Sequence, residues 1–297
     1  TLSDTFLKAI EGAKENKVLR MLPIVQPDGK VRVATLHPAA TLWAARAMSA
    51  HLMPSLKRLS FTRAMLFNKP VKLKSRKDGR MLSLYSADLS KSTDPISVSL
   101  SRFVLKEVTD VIGKPEWWDD ALDAVITKHR FHYLNVPYRA ECGALMGLGP
   151  GWSVLNILNA FAAHRAGAAR SSYAVCGDDL IGLWTKEQIQ GYEDSLRILG
   201  LVPNKSKSYV SSRRGVFCER LIERTSKNQA SGLPCVRIGQ VVGSRALEKG
   251  KGLLVLDSLT QIRAGNKVLQ AAAQRTARRL ILCDKTPGLL SQGGGGQ

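Results

Sequence analysis

The sequence predicts an α+β fold in which an antiparallel sheet is backed by helices on one face. The candidate elements follow the order strand, helix, loop and helix, hairpin, helix and further strands, which is typical of this class. Apolar residues recur at helical spacing in the longer segments, whereas the short apolar runs end at turn residues. The chain has 297 residues, of which 44% are hydrophobic, and is therefore long enough for one large domain or two to three small ones.

Each element is assigned from its periodicity and from the signals at its ends. In chain order we predict two short strands within 17–36, a strand at 81–88, a helix from 94 to about 113, a helix near 119–128, a helix from 152 to about 166, a hairpin at about 172–184, a helix from 185 to 200, a hairpin at about 207–222 and a basic helix near 264–282. Asp94 suits the N-cap of its helix, with Pro95 at the first helical position. Thr185 and Gln188 form a capping box, and Gly200 ends that helix.

The charge of the chain indicates a polyanionic partner. Lys and Arg number 44 against 24 Asp and Glu, which gives a formal net charge of +20 and a pI of about 10.0. Nucleic acid is the first candidate partner and an anionic membrane surface the second, while a generally basic surface is the plain alternative. The basic cluster at 69–80 suits either a solvated charged hairpin or a surface that follows phosphates. No apolar run approaches the roughly 18 to 20 residues needed to span a bilayer.

The cysteines and the chain ends carry less information. Five cysteines are scattered without any C-x-x-C pair, which predicts free thiols in a reducing compartment. His129 and His132 with Cys142 make an incomplete zinc pattern, which we set aside. The chain starts with Thr1 rather than Met and shows no secretory signal, so we expect a processed protein or a fragment.

The most informative segment is Tyr173-Ala174-Val175-Cys176-Gly177-Asp178-Asp179-Leu180. Short apolar runs flank a Gly177-Asp178-Asp179 turn, so two adjacent carboxylates lie at the tip of a buried hairpin. Apolar surroundings make paired negative charges unfavourable unless a cation neutralises them, and Mg²⁺ prefers such oxygen ligands. Asp88 ends another strand and would meet these carboxylates if the two strands are neighbours. An ordinary hairpin turn is the alternative.

Several segments together resemble the motifs of viral RNA-dependent RNA polymerases. The similar segments are Gly29-Lys30-Val31-Arg32-Val33-Ala34-Thr35 (motif F), Ser86-Ala87-Asp88-Leu89-Ser90-Lys91-Ser92-Thr93-Asp94 (motif A), Met146-Gly147-Leu148-Gly149-Pro150-Gly151-Trp152 with Asn159 (motif B), Cys176-Gly177-Asp178-Asp179 (motif C), Gly200-Leu201-Val202-Pro203-Asn204-Lys205-Ser206-Lys207 (motif D) and Gly215-Val216-Phe217-Cys218-Glu219 (motif E). They occur in the order found in those polymerases. The chain is most similar in character to the ourmia-like, narna-like and mitovirus group of positive-strand RNA viruses.

The resemblance implies a right-hand polymerase fold with fingers, palm and thumb. The implied divisions are partial fingers at 1–80, a palm at 81–225 with a fingers insertion at about 114–142, and a thumb with a Gly-rich tail at 226–297. The implied activity is template-directed transfer of nucleotides from NTPs to an RNA 3′-hydroxyl by a two-metal mechanism, for viral RNA replication. A reverse transcriptase and a non-catalytic basic RNA-binding protein are the alternatives.

The resemblance also implies which residues carry out the chemistry. Asp88 and Asp178 would coordinate two Mg²⁺ ions, or Mn²⁺ as the alternative, with Asp179 as a secondary ligand. Lys207 would protonate the leaving pyrophosphate, and Lys205 is the alternative for that role.

A second set of residues is implied to bind the substrates. Lys30 and Arg32 lie two apart on a strand, so both face the same side and would hold the triphosphate, with Arg20 as a weaker companion. Asp94 and Asn159 are implied to recognise the ribose 2′-hydroxyl, which favours RNA over DNA synthesis.

The glycines before Trp152 have a separate implied role. Gly147 and Gly151 would let the backbone approach the pair formed by the template and the nucleotide. The implied partners are template RNA, product RNA and NTPs, with the oligomeric state left open. Because replication proteins of this group work inside host cells, we expect the host cytoplasm, with the mitochondrion as the alternative.

Overall fold

The computed structural model describes residues 2–14, 19–25, 31–76, 80–133, 136–143, 145 and 147–233, together with residues 271 and 275. The helices are α1 Leu2–Lys14, α2 Ala39–Arg58, α3 Ser60–Leu66, α4 Val98–Ile112, α5 Trp118–Val125, α6 Gly149–Arg165 and α7 Lys186–Ile198. The strands are β1 Arg20–Val25, β2 Val31–Leu36, β3 Lys72–Lys74, β4 Ser83–Ala87, β5 Leu89–Ser90, β6 Arg130–Tyr133, β7 Val136–Arg139, β8 Tyr173–Cys176, β9 Asp179–Trp184, β10 Val202–Pro203, β11 Tyr209–Ser211, β12 Arg214–Phe217, β13 Arg220–Ser226 and β14 Gln229–Gly232.

A four-stranded antiparallel sheet with the order β11-β4-β9-β8 lies at the centre of this arrangement. Strands β8 and β9 form the predicted hairpin, with Cys176 opposite Asp179. Strand β9 also pairs with β4, where Ala87 lies opposite Leu180. The strand that ends before Asp88 is therefore the direct neighbour of the hairpin, and the predicted antiparallel α+β layout is confirmed.

The two faces of the central sheet are covered by different elements. Because side chains alternate along β9, Leu180 and Trp184 join the apolar cluster under the helices, whereas Ile181 and Leu183 join the cluster on the opposite face. Helix α6 is buried along most of its length and lies between α2, α7 and the sheet. The opposite face packs against a second antiparallel sheet with the order β12-β13-β14-β3, which we did not predict.

A glycine permits the close approach of the two sheets. A Cβ added to Gly215 on β12 would lie 2.7 Å from Cδ1 of Ile181 and 2.9 Å from Oγ of Ser86. The same serine is buried, and its hydroxyl accepts a hydrogen bond from the backbone N–H of Val216 at 2.9 Å. This polar contact joins β4 to β12 and leaves no space for a larger residue at position 215.

Two predicted helix boundaries are wrong. The helix after Asp88 begins at Val98, and Ser97 is its N-cap, with a side chain that accepts from the N–H of Leu100 at 3.1 Å. Asp94 therefore is not a helix cap. It lies in a turn, where its backbone N–H donates to the carbonyl of Lys91.

The second wrong boundary belongs to α6, which begins at Gly149, three residues before Trp152. Pro150 fits the first helical turn because its φ is already close to the helical value. Gly149 permits a close approach of α6 to α2, since an added Cβ would lie 2.1 Å from the hydroxyl oxygen and 3.2 Å from Cβ of Ser49.

The predicted hairpin at about 207–222 is also wrong, because β11 pairs with β4 in the central sheet whereas β12 pairs with β13 in the second sheet.

Other predicted elements are confirmed or lie outside the described residues. The hairpin of β1 and β2 forms as expected, and both hydrogen bonds of the Thr185 and Gln188 capping box are present. Strand β3, within the basic cluster at 69–80, pairs with β14. The predicted basic helix near 264–282 lies outside the described residues apart from two helical positions. Of the helices described, none combines the length and apolarity required for crossing a bilayer.

Candidate active site

Three carboxylates meet at one end of the central sheet. Asp88 directly follows β4, and Asp179 is the first residue of β9, the strand beside it. The pairing of Ala87 with Leu180 places Asp88 and Asp179 next to each other, while Asp178 occupies the turn between β8 and β9. All three side chains are partly buried. The structure thus brings together the carboxylates that the sequence placed far apart in the chain.

Asp88 is held by the loop between β10 and β11. Its Oδ2 atom accepts from Nδ2 of Asn204 at 3.0 Å and lies 3.2 Å from Nζ of Lys207. Two backbone contacts support this geometry, because the carbonyl of Asp88 accepts from the N–H of Asn204 and its N–H donates to the Ser208 hydroxyl. Of the two candidate lysines, Lys207 reaches the carboxylate, and Lys205 is exposed on the same loop.

Asp178 is contacted by a serine that follows Asp88 in the chain. The Ser92 hydroxyl donates to Oδ2 of Asp178 at 2.9 Å. Lys91 and Ser92 both have positive φ angles, of 59° and 37°, which residues other than glycine rarely adopt. The hydrogen bond to Asp178 therefore accompanies a strained turn at the site, which is common where function constrains a backbone.

The carboxyl of Asp179 has a raised pKa. Burial first, and then the neighbouring charges of Asp178 and Asp88, raise the pKa of Asp179 to about 6, while a hydrogen bond with Cys218 and the charge of Lys207 act to lower it. The strand pairing accounts for this repulsion, because it places Asp88 and the hairpin turn at adjacent strand ends. A cation placed among them would relieve that repulsion.

The donor set agrees with a hard divalent cation, because carboxylate oxygens are the ligands of Mg²⁺ and Mn²⁺. Within the described part of the chain, no group of three or more His, Cys, Asp or Glu side chains is arranged as a complete ligand set. Instead, Lys207 and Ser92 contact the Oδ2 atoms of Asp88 and Asp178. The residues fit the ion by chemistry, and a metal would compete with these two contacts.

The turn that carries Asp178 is packed against α6. Gly177 is buried with φ +64°, and a Cβ added there would lie 2.9 Å from Nε1 of Trp152. Asn159 donates to the Gly177 carbonyl at 3.1 Å and accepts from the Tyr192 hydroxyl at 2.7 Å. Asn156 accepts from the Gly177 N–H at 3.0 Å. The structure thus uses both polar atoms of Asn159 inside the protein, and its predicted ribose contact stays a prediction.

The remaining predicted substrate residues lie around this centre. Asp94 follows Asp88 closely in the chain and is exposed. Partial desolvation raises the pKa of its carboxyl. Gly147 is exposed with φ +105°, and an added Cβ would lie 3.9 Å from the carbonyl of Thr35 on β2. Gly151 is buried in the first turn of α6. Their proposed contacts with nucleotide and template stay predictions.

The predicted triphosphate residues are on the hairpin of β1 and β2. Ile24 lies opposite Arg32 in the ladder, so Arg20 and Arg32 project from the same face of this hairpin, and both are exposed. Lys30 lies outside the described residues. Because Gly147 lies next to Thr35, the hairpin borders the start of motif B.

Several residues of this site were missed from the sequence. Ser92 and Asn204 contact the carboxylates of Asp178 and Asp88. Ser208 contacts the backbone of Asp88, and Tyr192 contacts Asn159. Asn204 and Ser92 lay within the quoted motifs, which was the available signal. Tyr192, on a helix of otherwise ordinary pattern, offered none.

An antiparallel sheet that brings carboxylates together at adjacent strand ends, with helices on one face, is the arrangement of a polymerase palm. In agreement, the fold is similar to the RNA-dependent RNA polymerase of a human picobirnavirus, with a TM-score of 0.56, 17% identity and 92% of this chain covered. The insertion-loop deletion mutant of that polymerase gives the same TM-score at 16% identity and is covered over 60% of its length. The right-hand polymerase fold is thereby confirmed.

The chain belongs to the mitovirus RNA-dependent RNA polymerase family, which it matches over residues 1–284. It is 36% identical over 93 residues to the RNA-directed RNA polymerase of Saccharomyces 20S RNA narnavirus, covering 27% of this chain and 11% of that protein. It is 30% identical over 162 residues to the RNA-directed RNA polymerase of Saccharomyces 23S RNA narnavirus, covering 49% of this chain and 17% of that protein. It is 27% identical over 260 residues to the RNA-dependent RNA polymerase of Ourmia melon virus, covering 76% of this chain and 30% of that protein. The resemblance to this viral group is confirmed, and the chain spans less than a third of each of these relatives.

Proposed function

We propose that this chain catalyses template-directed RNA synthesis, by transfer of nucleotides from NTPs to the 3′-hydroxyl of an RNA. The observation that carries the proposal is the meeting of Asp88 with the Gly177-Asp178-Asp179 turn at adjacent strand ends, in a member of this polymerase family. The net charge of +20 agrees with an RNA partner. The role that follows is viral RNA replication inside a host cell, in the cytoplasm or, as the alternative, in the mitochondrion.

In the proposed mechanism the carboxylates would hold two divalent ions, with Mg²⁺ as the first candidate and Mn²⁺ as the second. Asp88 and Asp178 would be the main ligands and Asp179 the secondary one. When bound, the ions activate the attacking hydroxyl and neutralise charge on the phosphates. The 3′-hydroxyl gives its proton to water and its oxygen forms a bond to the α-phosphorus. The bond between the α-phosphorus and the bridging oxygen breaks, and pyrophosphate leaves.

Lys207 is the proposed general acid for the leaving pyrophosphate. Its ammonium lies 3.2 Å from Oδ2 of Asp88, so the lysine is already located at the carboxylate centre. A proton given to the pyrophosphate oxygen stabilises the charge that develops as the bond breaks. Lys205 lies two residues away and is the alternative donor.

The substrates would be held by residues around the carboxylates. Arg20, Lys30 and Arg32 are the proposed triphosphate contacts. The guanidinium groups of the two arginines bind phosphate oxygens in a bidentate manner, and the ammonium of Lys30 binds them as a point charge. Asp94 is the first candidate for recognition of the ribose 2′-hydroxyl. Gly147 and Gly151 are proposed to lie against the template and the nucleotide.

A primed RNA extension assay with Mg²⁺ tests this function. We expect the parent protein to extend RNA with NTPs, Asp178→Asn to lose at least about 10²-fold in rate, and the matched control Asp194→Asn, on an exposed part of α7, to keep parental activity. Equal rates for parent and Asp178→Asn would remove Asp178 from the centre. A preference for dNTPs would indicate a reverse transcriptase, and RNA binding without extension would indicate a non-catalytic RNA-binding protein.

A further inference from the structure

Two asparagines on α6 hold the Gly177 peptide from both sides. Oδ1 of Asn156 accepts from the Gly177 N–H at 3.0 Å, and Nδ2 of Asn159 donates to the Gly177 carbonyl at 3.1 Å. Because these residues are three apart on a helix, their side chains lie on the same face of it. The chemistry of the backbone assigns each amide, since only an oxygen can face the N–H and only an NH₂ group can face the carbonyl.

The remaining amide atoms have partners as well. Nδ2 of Asn156 donates to the carbonyl of Trp152 at 2.7 Å, and Oδ1 of Asn159 accepts from the Tyr192 hydroxyl at 2.7 Å. Asn156, Asn159 and Tyr192 all have 0% exposure. A buried network in which every polar atom is bonded resists rearrangement, because any rotation would leave a group without a partner.

These hydrogen bonds fix the peptide that immediately precedes a carboxylate of the site. Asp178 follows Gly177 directly, and Asp178, Asp179 and Asp88 repel one another as long as no cation lies between them. The carboxylate of Asp178 itself accepts a hydrogen bond from the Ser92 hydroxyl. Attachment to a long buried helix would oppose displacement of the turn by that repulsion.

We propose that Asn156 and Asn159 are positioning residues that clamp the Gly177 peptide and so hold Asp178 towards Asp88, with Tyr192 fixing the orientation of Asn159. The proposal rests on the function proposed above and concerns how its metal ligand is oriented. It assigns Asn159 to the turn rather than to the nucleotide ribose, because both of its polar atoms already have protein partners.

Hydrogen exchange and Mn²⁺ binding test the clamp without any need for catalysis. The variants are Asn156→Ala, Asn159→Ala and Tyr192→Phe, the last of which removes a single hydroxyl from the core. Ser153→Ala is the matched control, because Ser153 is buried on the same helix and its hydroxyl has no hydrogen-bond partner in the described part of the chain.

We expect faster exchange of the Gly177 amide in the Asn156 and Asn159 variants, and a Mn²⁺ dissociation constant raised about 10-fold or more, as for other groups that orient metal ligands. Tyr192→Phe should give a smaller shift in the same direction, and Ser153→Ala should match the parent. In RNA extension, kcat should fall while KM for NTP and the preference for NTP over dNTP stay at parental values.

Unchanged Gly177 exchange in well-folded Asn156→Ala and Tyr192→Phe proteins would overturn the clamp. So would an Asn159→Ala protein that binds Mn²⁺ normally and loses its preference for NTP, since that result assigns Asn159 to the ribose. If the parent protein fails to extend RNA, the proposed function fails, whereas the exchange of the Gly177 amide still decides the clamp.

Discussion

Replacement of Gly177 by alanine tests the geometry of the carboxylate turn most directly. Gly177 has φ +64°, and an added Cβ would lie 2.9 Å from Nε1 and 3.3 Å from Cδ1 of Trp152. Gly167, at the end of α6, has a similar φ of +75° but nothing within 4 Å of an added Cβ. The two substitutions therefore share the backbone strain and differ in the clash.

The expected magnitudes follow from this comparison. An alanine in the left-handed region costs about 1–2 kcal/mol, and this term applies to both variants. Overpacking against the Trp152 ring adds about 1–3 kcal/mol for Gly177→Ala alone. The smaller entropy of the unfolded alanine chain stabilises both variants equally, so it cancels in the difference. We expect Gly177→Ala to be less stable than Gly167→Ala by about 1–3 kcal/mol.

Urea denaturation and RNA extension measure the two consequences. Relief of the clash moves the turn and with it Asp178, and a shift of about 1 Å at a catalytic group can lower a rate about 10²-fold. We expect Gly177→Ala to lose at least about 10-fold in extension rate under native conditions, and Gly167→Ala to stay within about twofold of the parent. If both variants lost equal stability and kept parental rates, Trp152 would not pack against the turn as described.

Three further perturbations give distinct outcomes. Lys207→Ala should lower the extension rate about 10²-fold and Lys205→Ala less than about twofold, because of these two lysines it is Lys207 that contacts Asp88; equal losses would contradict this assignment. Thr185→Ala removes the capping box of α7 and should lower the free energy of unfolding by about 1 kcal/mol in urea, with RNA extension unchanged. Burial, and then the neighbouring His129, lower the pKa of His37 to about 4, below its ordinary value near 6.5. The stability that neutral His37 contributes is therefore present above about pH 6.5 and is lost as pH falls towards 4, and melting curves of His37→Gln should show a weaker decline over that window. An identical decline in parent and variant would exclude His37 as the source.

Local signals predicted the elements whose causes are local. The hairpin of β8 and β9, the capping box at Thr185 and the strand before Asp88 each depend on a few consecutive residues, and each is confirmed. The helix start at Asp94 was wrong for an equally local reason. Both Asp94 and Ser97 are good cap residues, and the sequence could not rank them, because the choice depends on the turn at 91–95 that leads out of the carboxylate site.

Contacts between distant segments were beyond any pattern in the sequence. The second sheet forms because strands at 72–74 and 214–232 bury their apolar residues against Ile181 and Leu183. In the sequence these strands show only the usual alternation of apolar and polar residues, which does not identify their packing partner. Asn159 was predicted to contact the ribose, and that contact stays a prediction, whereas its hydrogen bonds with Gly177 and Tyr192 were not predicted. The direction of a buried polar side chain depends on partners that folding supplies.

The sequence alone therefore established which chemical groups this protein carries: paired carboxylates at a glycine turn, another aspartate at a strand end, and an excess of basic residues. Its motifs also predicted the viral polymerase group, and the chain belongs to the mitovirus polymerase family. The packing of β4 beside β9, the contact of Lys207 with Asp88 and the hold of α6 on Gly177 came from the three-dimensional fold. The physical reason is that residue types and local propensities act over a few positions. Burial and hydrogen bonding, in contrast, join groups 18 to 119 residues apart, and their geometry exists only once the sheet and helices have packed.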